Sequence, residues 1–477
     1  MTQITHWING ALDTKKPERT GDIYNPATGK VTGTVAFGNA ATVDSAVSAA
    51  TAAFAEWRHS SLTKRTQVLF AFRELVAQNK EKIAALITAE HGKVLSDAAG
   101  EVTRGLEVVE FACGIPHLLK GGFSEEVSTG VDVYSIRQAL GPVAIISPFN
   151  FPAMVPMWFF PVAIACGNTV VVKPSEKDPS AAMFMAQLWK EAGLPDGVFN
   201  VVHGDKEVVD ALLVHPGIKS ISFVGSTPIA RYVYETGTKA GKRVQALGGA
   251  KNHMIVLPDS DLELAADAAI NAGFGSAGER CMAISAIVAV EPIGNALVAR
   301  IKSRMANIVT GDGTKGSDMG PLVTAVHRDK VASYIEAGAK EGATVVVDGR
   351  DLKVDGDGFF LGPTLLDNVT SKMSVYTDEI FGPVQVIIPF KDENEAIAIA
   401  NGTDYGLVAS CWSRDGARQM RMAKKLRAGQ VFVNNYGAGG GVELPFGGSG
   451  HSGHGREKGF EALFGFSTVK TVATYHG

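Results

Sequence analysis

One cysteine of this sequence stands in a loop that suits a reactive thiol. The stretch from Gly273 to Ala283 reads GFGSAGERCMA, so the residues before Cys281 are mostly small and leave its sulfur accessible. The thiolate is the nucleophilic form of cysteine, and a neighbouring cation favours it. We therefore interpret Cys281 as a candidate nucleophile, with Arg280 placed to favour its thiolate.

The other cysteines, Cys113, Cys166 and Cys411, lie among apolar or aromatic neighbours. A buried cysteine usually packs as a small hydrophobic residue. The wide spacing of the cysteines fits neither a zinc site nor a disulfide framework. We expect free thiols, a reducing compartment and no metal site.

Composition indicates an ordinary globular protein. The chain has 477 residues, of which 45% are hydrophobic and 20% charged, and its net charge is −4. This length favours two lobes, and the scattered charges argue against nucleic acid or a membrane as partner. The N-terminal MTQITHWING resembles no signal peptide and no apolar run could span a bilayer, so we expect a cytoplasmic protein.

The elements that must position the loop begin with a turn-rich stretch up to about residue 42. Residues 47–57 and 65–91 carry apolar side chains at helical spacing, and residues 119–138 predict a two-stranded excursion. From Gly141, strand-like runs alternate with helix-length segments. The predicted strands are 143–147, 169–173, 198–203 and 218–224, and the predicted helices are 181–192, 208–215 and 228–240. This alternation predicts a parallel, doubly wound α/β sheet with its ligand at the carboxyl ends of the strands.

Two places at those strand ends suit a dinucleotide, although GxGxxG is absent. Gly225 and Ser226 follow a strand and open a helix, where free N–H groups can face a phosphate. Lys173 and Glu176 follow another strand and could bind ribose hydroxyls, with the glutamate favouring NAD over NADP. An ordinary capped turn and solvated charges explain these features equally well.

Six motifs together resemble the aldehyde dehydrogenase superfamily. They are Pro148 to Pro152 (PFNFP), Lys173 to Glu176 (KPSE), Gly225 to Thr227 (GST), the Cys281 loop, Glu379 to Pro383 (EIFGP) and Pro445 to Gly448 (PFGG). Their order and spacing follow that family along essentially the whole chain. The resemblance implies two doubly wound α/β lobes and a small β segment for oligomerisation.

The resemblance also implies roles for individual residues. Cys281 would attack an aldehyde and hold a thioester, while the Asn150 amide would stabilise the oxyanion together with the Cys281 N–H. Phe151 would line the substrate site. The implied NAD contacts are Ser147, Phe149, Lys173, Glu176, Gly225, Ser226, Glu379 and Phe381.

One position departs from the hydrolytic members, which have a glutamate before Leu-Gly-Gly that activates water. Matched on Leu247, Gly248 and Gly249, that position is Ala246, and matched on Lys251 it is Leu247. Neither residue can act as a base. A thiol such as coenzyme A is then the expected acyl acceptor, unless Glu279 or a shifted water replaces the base.

Residues up to about Pro383 resemble the CoA-acylating branch that oxidises methylmalonate or malonate semialdehyde to propionyl-CoA or acetyl-CoA. In that branch two arginines bind the substrate carboxylate, and they match Arg104 and Arg280. The C-terminal part instead resembles hydrolytic aldehyde dehydrogenases. Either a natural divergent branch or an engineered chimera joined near residue 380 would have such a sequence. There Tyr436 and Phe446 either narrow the substrate entrance or simply pack.

The resemblance divides the chain into an NAD-binding domain (1–118 and 139–249), a catalytic domain (250–460) and an oligomerisation domain (119–138 and 461–477). The terminal strand, Phe466 to Tyr475, would pair with the 119–138 excursion of a partner. Because an unpaired strand invites association, we expect a homodimer or homotetramer.

Two other functions remain open on the sequence. One is a hydrolytic NAD-dependent aldehyde dehydrogenase that releases a free acid, as the C-terminal part favours. The other is a catalytically silent structural protein on the same fold, against which the intact Cys281, Asn150 and Glu379 argue.

Overall fold

A computed structural model describes residues 2–291, 293–436 and 441–477. The chain opens with short strands: β1 (Thr2–Ile4), β2 (Trp7–Ile8), β3 (Ala11–Leu12), β4 (Arg19–Asn25) and β5 (Lys30–Phe37). β1, β5 and β4 form a small sheet. The sequence predicts turns over this stretch, because β1 to β3 have only two or three residues each and β4 is largely exposed, so that no alternation of burial marks these strands.

A helical layer follows, as predicted. It contains α1 (Ala40–Trp57), α2 (Leu62–Gln78), α3 (Lys80–His91), α4 (Leu95–Cys113) and α5 (Ile115–Leu118). The predicted helical stretch 65–91 is broken at Asn79, whose side-chain amide donates to the carbonyl of Leu75 at 2.9 Å and closes α2. Gly92, in the left-handed region at φ 90°, ends α3 and turns the chain toward α4.

The predicted parallel sheet is present. After the hairpin of β6 (Phe123–Ser128) and β7 (Val131–Ala139) come β8 (Pro142–Ile146), α6 (Met154–Ala165), β9 (Thr169–Lys173), α7 (Ser180–Glu191), β10 (Phe199–Val201), α8 (Lys206–Val214), β11 (Ser220–Val224), α9 (Thr227–Lys239) and β12 (Arg243–Leu247). Neighbouring strands run β12-β11-β8-β9-β10 in parallel, and β2 and β3 extend one edge. The ends of β8, β9 and β11 therefore lie side by side.

A second α/β unit carries the Cys281 loop. It contains β13 (Asn252–Val256), α10 (Leu262–Phe274), β14 (Ile284–Val290), α11 (Gly294–Met305), α12 (Ala325–Lys340), β15 (Thr344–Val347), β16 (Thr364–Asp367), α13 (Ser374–Thr377), β17 (Val384–Phe390), α14 (Glu393–Asn401), β18 (Val408–Trp412), α15 (Gly416–Lys425) and β19 (Gln430–Val433). The sheet order is β15-β16-β17-β14-β13-β18-β19, with β15 antiparallel to its neighbour.

The chain then returns to the first unit through β20 (Gly453–His454), α16 (Ala462–Phe466) and β21 (Ser467–Tyr475). β20 pairs with β12, with Ala246 opposite His454. β21 pairs antiparallel with β7 of the same chain, for example Val469 with Arg137. The expected pairing of this strand with residues 119–138 of a partner is therefore wrong in this structure, because β21 forms its backbone hydrogen bonds with β7 of its own chain.

The remaining edges of that small sheet are mostly exposed along β6 and β21. Exposed strand edges favour association, so the dimer or tetramer stays a prediction. Among the described residues, no helix has the length and apolar character needed to cross a membrane.

Candidate active site

The Cys281 loop is held in a strained backbone conformation. Ser276, Ala277 and Gly278 are all left-handed, with φ of 49°, 52° and 73°. Residues with a side chain rarely adopt this region, so the surrounding structure must impose it. The turn places Cys281 between the end of α10 and the start of β14.

Two side chains anchor the ends of this loop. The amide of Asn252 donates to the carbonyls of Cys281 and Ala283, each at 2.8 Å. The hydroxyl of Tyr436 lies 3.2 Å from the carbonyl of Ala272 and 3.1 Å from that of Met282. The sequence allowed Tyr436 either to narrow the substrate entrance or to pack. In the structure its hydroxyl contacts both ends of the Cys281 loop and so supports it.

The Cys281 thiol is half-buried and difficult to ionise. Burial, followed by the nearby carboxylates of Glu457 and Glu379, raises the pKa of this thiol to about 12. Lys458 acts in the opposite direction. Arg280, which the sequence predicts to favour the thiolate, has its guanidinium paired with Asp97 at 2.7 Å, so its effect on the thiol stays a prediction.

Asn150 meets the loop from the first unit. It follows β8, is buried, and its side-chain amide donates to the carbonyl of Glu279 at 3.0 Å. The predicted oxyanion donor and the predicted nucleophile thus belong to neighbouring segments. This amide is aimed at the backbone two residues before Cys281.

The side chain of Glu279 lies in a buried polar cluster with two histidines. Its carboxylate oxygens lie 3.7 Å from Nε2 of His91 and 3.6 Å from Nε2 of His327, and one accepts from the N–H of Val323. Burial raises the pKa of Glu279 to about 8, so the carboxyl is largely protonated at neutral pH. This position is poorly suited to a base that serves Cys281.

The two predicted carboxylate-binding arginines differ in their partners. Arg280 donates to Asp97 at 2.7 Å, and its guanidinium lies over Gly275, where an added Cβ would be 2.4 Å from Cζ. Arg104 has no carboxylate partner among the described residues; it lies 5.9 Å from the Phe151 ring centroid, and its Nε is 3.5 Å from the Met154 sulfur. Surrounding protein atoms and the nearby Arg280 cation both lower the pKa of Arg104.

Two predicted cofactor residues share a cavity with Cys281. Glu379 and Phe381 line one cavity together with Cys281. Glu379 accepts from the N–H of Ala250 at 2.8 Å, and burial raises the pKa of its carboxyl to about 7. Phe381, left-handed at φ 56°, packs edge-on against Phe149 at 6.0 Å.

The other predicted cofactor residues lie at the strand ends. The ammonium of Lys173 and the carboxylate of Glu176 pair at 3.1 Å. Ser226 is the N-cap of α9 but makes no side-chain capping bond, and Gly225 precedes it. The Ser147 hydroxyl is buried with no partner among the described residues. These free hydroxyls and helix N–H groups fit the oxygen-rich phosphates and ribose of a dinucleotide.

The position of the missing base contains only apolar side chains. Ala246 is fully buried and packs with the α9 side of the first sheet, near Ala230 and Val233. Leu247 packs in the cluster that Cys281 also contacts. Neither alignment of the sequence therefore supplies a base.

The C-terminal segment brings a different carboxyl toward Cys281. Glu457 is buried, and neither of its carboxylate oxygens has a hydrogen-bond partner among the described residues. Burial raises its pKa well above the usual value, while Lys458 opposes this. Phe446 is buried, and its ring centroid lies 5.2 Å from that of Trp158, so Phe446 packs in the core. Residues 437–440 lie outside the described part of the chain.

Comparison with known proteins decides the family. The model of the aldehyde dehydrogenase family matches residues 13–472. The chain belongs to the aldehyde dehydrogenase family. The fold and the class of enzyme predicted from the motifs are thereby confirmed.

Relatives of this aldehyde dehydrogenase carry closely related names. A malonate-semialdehyde dehydrogenase of Pseudomonas aeruginosa is 49% identical over 91% of this chain and 88% of its own length. The crystal structure of a methylmalonate-semialdehyde dehydrogenase from Oceanimonas doudoroffii is 45% identical, covers 100% of this chain and 99% of that chain, and has a TM-score of 0.98.

A third protein, from Sinorhizobium meliloti, was assigned as a methylmalonate-semialdehyde dehydrogenase and solved with NAD. It is 44% identical, covers 100% of this chain and 98% of that chain, and has a TM-score of 0.98.

Sequence reasoning missed several residues that build this dehydrogenase site. Asp97 and Glu101 stand at positions i and i+4 of α4 and share one helix face with the predicted Arg104 at i+7. Asp97 reaches the Cys281 loop, and Glu101 pairs with Lys93 below Asn150. Charged residues at helical spacing were the available signal, but their partners are distant in sequence.

Proposed function

We propose that this aldehyde dehydrogenase oxidises malonate or methylmalonate semialdehyde with NAD and passes the acyl group from Cys281 to coenzyme A. The observation that carries the proposal is Arg104, a guanidinium without a carboxylate partner among the described residues, on the face that approaches the Cys281 loop. A guanidinium pairs with a carboxylate through two parallel hydrogen bonds. The names of the relatives support the same substrate class.

The residues that would hold NAD are those that line the strand ends and the Cys281 cavity. Ser226 and the first N–H groups of α9 suit the pyrophosphate, and the Lys173–Glu176 pair suits a ribose. Glu379 suits the second ribose beside the thiol, and Phe149 and Phe381 pack beside it. The NAD complex of the Sinorhizobium meliloti relative supports this assignment.

Cys281 would release its proton to water, and its sulfur would attack the aldehyde carbon and leave a negative charge on the former carbonyl oxygen. The Asn150 amide and the Cys281 N–H would stabilise that oxyanion. When bound, NAD accepts the hydride that leaves the adduct. The acyl group then remains on the Cys281 sulfur as a thioester.

Release of the acyl group is the step at which the missing base matters. Ala246 and Leu247 cannot activate water, whereas the thiol of coenzyme A ionises more readily and is a stronger nucleophile. Its sulfur would attack the acyl carbon, the bond to the Cys281 sulfur would break, and the cysteine thiolate would be restored. Before this transfer the bond between the substrate carboxylate and the neighbouring carbon would break, that carbon would take a proton, and the released CO2 would combine with water as bicarbonate, so that the products are acetyl-CoA or propionyl-CoA.

A second function, hydrolysis to a free acid, is favoured by Glu457. This buried carboxyl has no partner among the described residues and lies close enough to Cys281 to raise the pKa of its thiol. Because burial raises the pKa of Glu457 well above its usual value, this carboxyl could accept a proton from water only at a pH high enough to ionise it. Hydrolysis would make coenzyme A dispensable.

Steady-state assays with malonate semialdehyde and NAD separate the two functions. The proposal predicts that coenzyme A strongly accelerates NADH formation and that acetyl-CoA is the product. Equal NADH rates with and without coenzyme A, with a free acid as sole product, would instead establish hydrolysis.

A further inference from the structure

A buried ion pair lies beneath the segment that carries Asn150. The ammonium of Lys93 is 2.8 Å from the Glu101 carboxylate, and both side chains are fully buried. Lys93 enters the core directly after Gly92, the left-handed residue that ends α3. Glu101 projects from α4 on the same face as Asp97 and Arg104.

Lys93 binds the backbone of Asn150 directly. Its Nζ donates to the Asn150 carbonyl at 2.5 Å and lies 4.4 Å from the centroid of the Phe151 ring. With Glu101, these partners can occupy all three ammonium protons. The carbonyl of Asn150 is therefore fixed by a group that cannot easily move.

Glu101 binds the other end of the same segment. One carboxylate oxygen accepts from the N–H groups of Ala153 and Met154, at 2.9 and 3.1 Å. These groups begin α6, whose N-cap residue, Ala153, provides no side-chain capping bond. The carboxylate thus caps α6 from a neighbouring helix and complements its dipole.

The pair therefore clamps residues 150–154 at both ends. Because a buried ion pair adds little net stability, since desolvation offsets the attraction, its clearest consequence is geometric. The Asn150 amide is left free to turn only about its own side-chain bonds, toward the Cys281 loop.

We propose that Lys93 and Glu101 are positioning residues that set the Asn150 amide for stabilisation of the oxyanion. This inference rests on the proposed function, in which Asn150 has that role. It predicts that the pair affects the first turnover only while the Asn150 amide is present, because oxyanion donors act through their placement.

The test is a double-mutant cycle on the full-length enzyme, with the rate of NADH formation in the first turnover as readout. The variants are Lys93→Met, Glu101→Gln and their combination, each with Asn150 intact and in an Asn150→Ala background. The combined variant removes both charges and so leaves no unpaired ion to prevent folding. Glu81→Gln, at an exposed position of the neighbouring helix α3, is the matched control and should leave the rate unchanged.

We expect the combined variant to lower the rate about 10- to 100-fold with Asn150 present and less than about twofold in the Asn150→Ala background. Equal losses in both backgrounds, or no loss with Asn150 present, would overturn the inference alone. If Asn150→Ala leaves the first turnover unchanged, the oxyanion role and this inference both fail.

Discussion

The guanidinium of Arg280 donates to the carboxylate of Asp97 at 2.7 Å, on the face of α4 that also presents Arg104. Of the two arginines implied for carboxylate binding, Arg280 is therefore already shared with a protein carboxylate. Arg104 has no such partner among the described residues. The two should contribute unequally to substrate binding.

Arg104→Met should reduce kcat/KM for malonate semialdehyde by about 10²-fold, since charge-assisted hydrogen bonds contribute about 1.5 to 3 kcal/mol each. Arg280→Met should cost less, because its guanidinium is already paired with Asp97. Propanal, which lacks the carboxylate, should be oxidised by Arg104→Met at nearly the wild-type kcat/KM. Equal losses on the acidic and neutral aldehydes would show that Arg104 does not bind the carboxylate.

Asp97→Asn should loosen the Cys281 loop. One Asp97 oxygen accepts from the N–H and hydroxyl of Ser276, which stands at the strained start of the loop, while the other binds Arg280. Hydrogen exchange of residues 273–283 should accelerate in the variant, whereas the exposed control Asp355→Asn should not change it. Unchanged protection of the loop would mean that other contacts maintain its strain.

Glu457→Gln should make the Cys281 thiol more reactive. Glu457 raises the pKa of the thiol only when it is ionised, so alkylation by iodoacetamide should be about three- to tenfold faster in the variant at the alkaline end of a pH 7 to 10 profile, and the difference should shrink at the pH values where Glu457 is protonated. The exposed Glu443 lies in the same segment, and Glu443→Gln should leave the rate unchanged. If alkylation of the Glu457 variant is no faster, Glu457 does not act on the thiol.

Glu279 should make stability depend on pH. Its pKa is raised by burial from an ordinary 4.5 to about 8, so the folded protein retains the proton that the unfolded chain loses. The stabilisation is complete below 4.5 and is lost as pH rises toward 8, with a slope of at most about 1.4 kcal/mol per pH unit.

Chemical denaturation should therefore show the stability of Glu279→Gln increasing relative to wild type between pH 5 and 8. The cluster also contains His91 and His327, which both proteins retain, so the difference isolates Glu279. A difference that is constant with pH would contradict this assignment. The exposed control Glu235→Gln should show no such trend.

The sequence predicted the parallel sheet well because β8, β9 and β11 are fully buried apolar runs whose signal is local. The N-terminal strands were missed because their pairing partners, not their own side chains, determine them. The pairing of β21 was misassigned since residues 119–138 of either subunit satisfy the same pattern.

The motifs predicted the individual residues of the candidate site. They did not predict which of its charged side chains pair with one another or which carry a proton. Sequence proximity placed Arg280 beside the thiol, whereas the fold pairs it with Asp97, more than 180 residues away. Lys93 and Glu101 also contact residues that are distant in sequence, 57 and 52 positions away. Such contacts arise from packing and have no local pattern.

The most direct test of the account is the mass of the enzyme after a single turnover. The protein would be mixed with NAD and malonate semialdehyde without coenzyme A, quenched, and digested to find the modified peptide. We predict an acetyl group on Cys281 that disappears when coenzyme A is added, with acetyl-CoA formed in equal amount. Continued NADH formation without coenzyme A, with no acyl group on Cys281, would contradict transfer from a lasting thioester to coenzyme A.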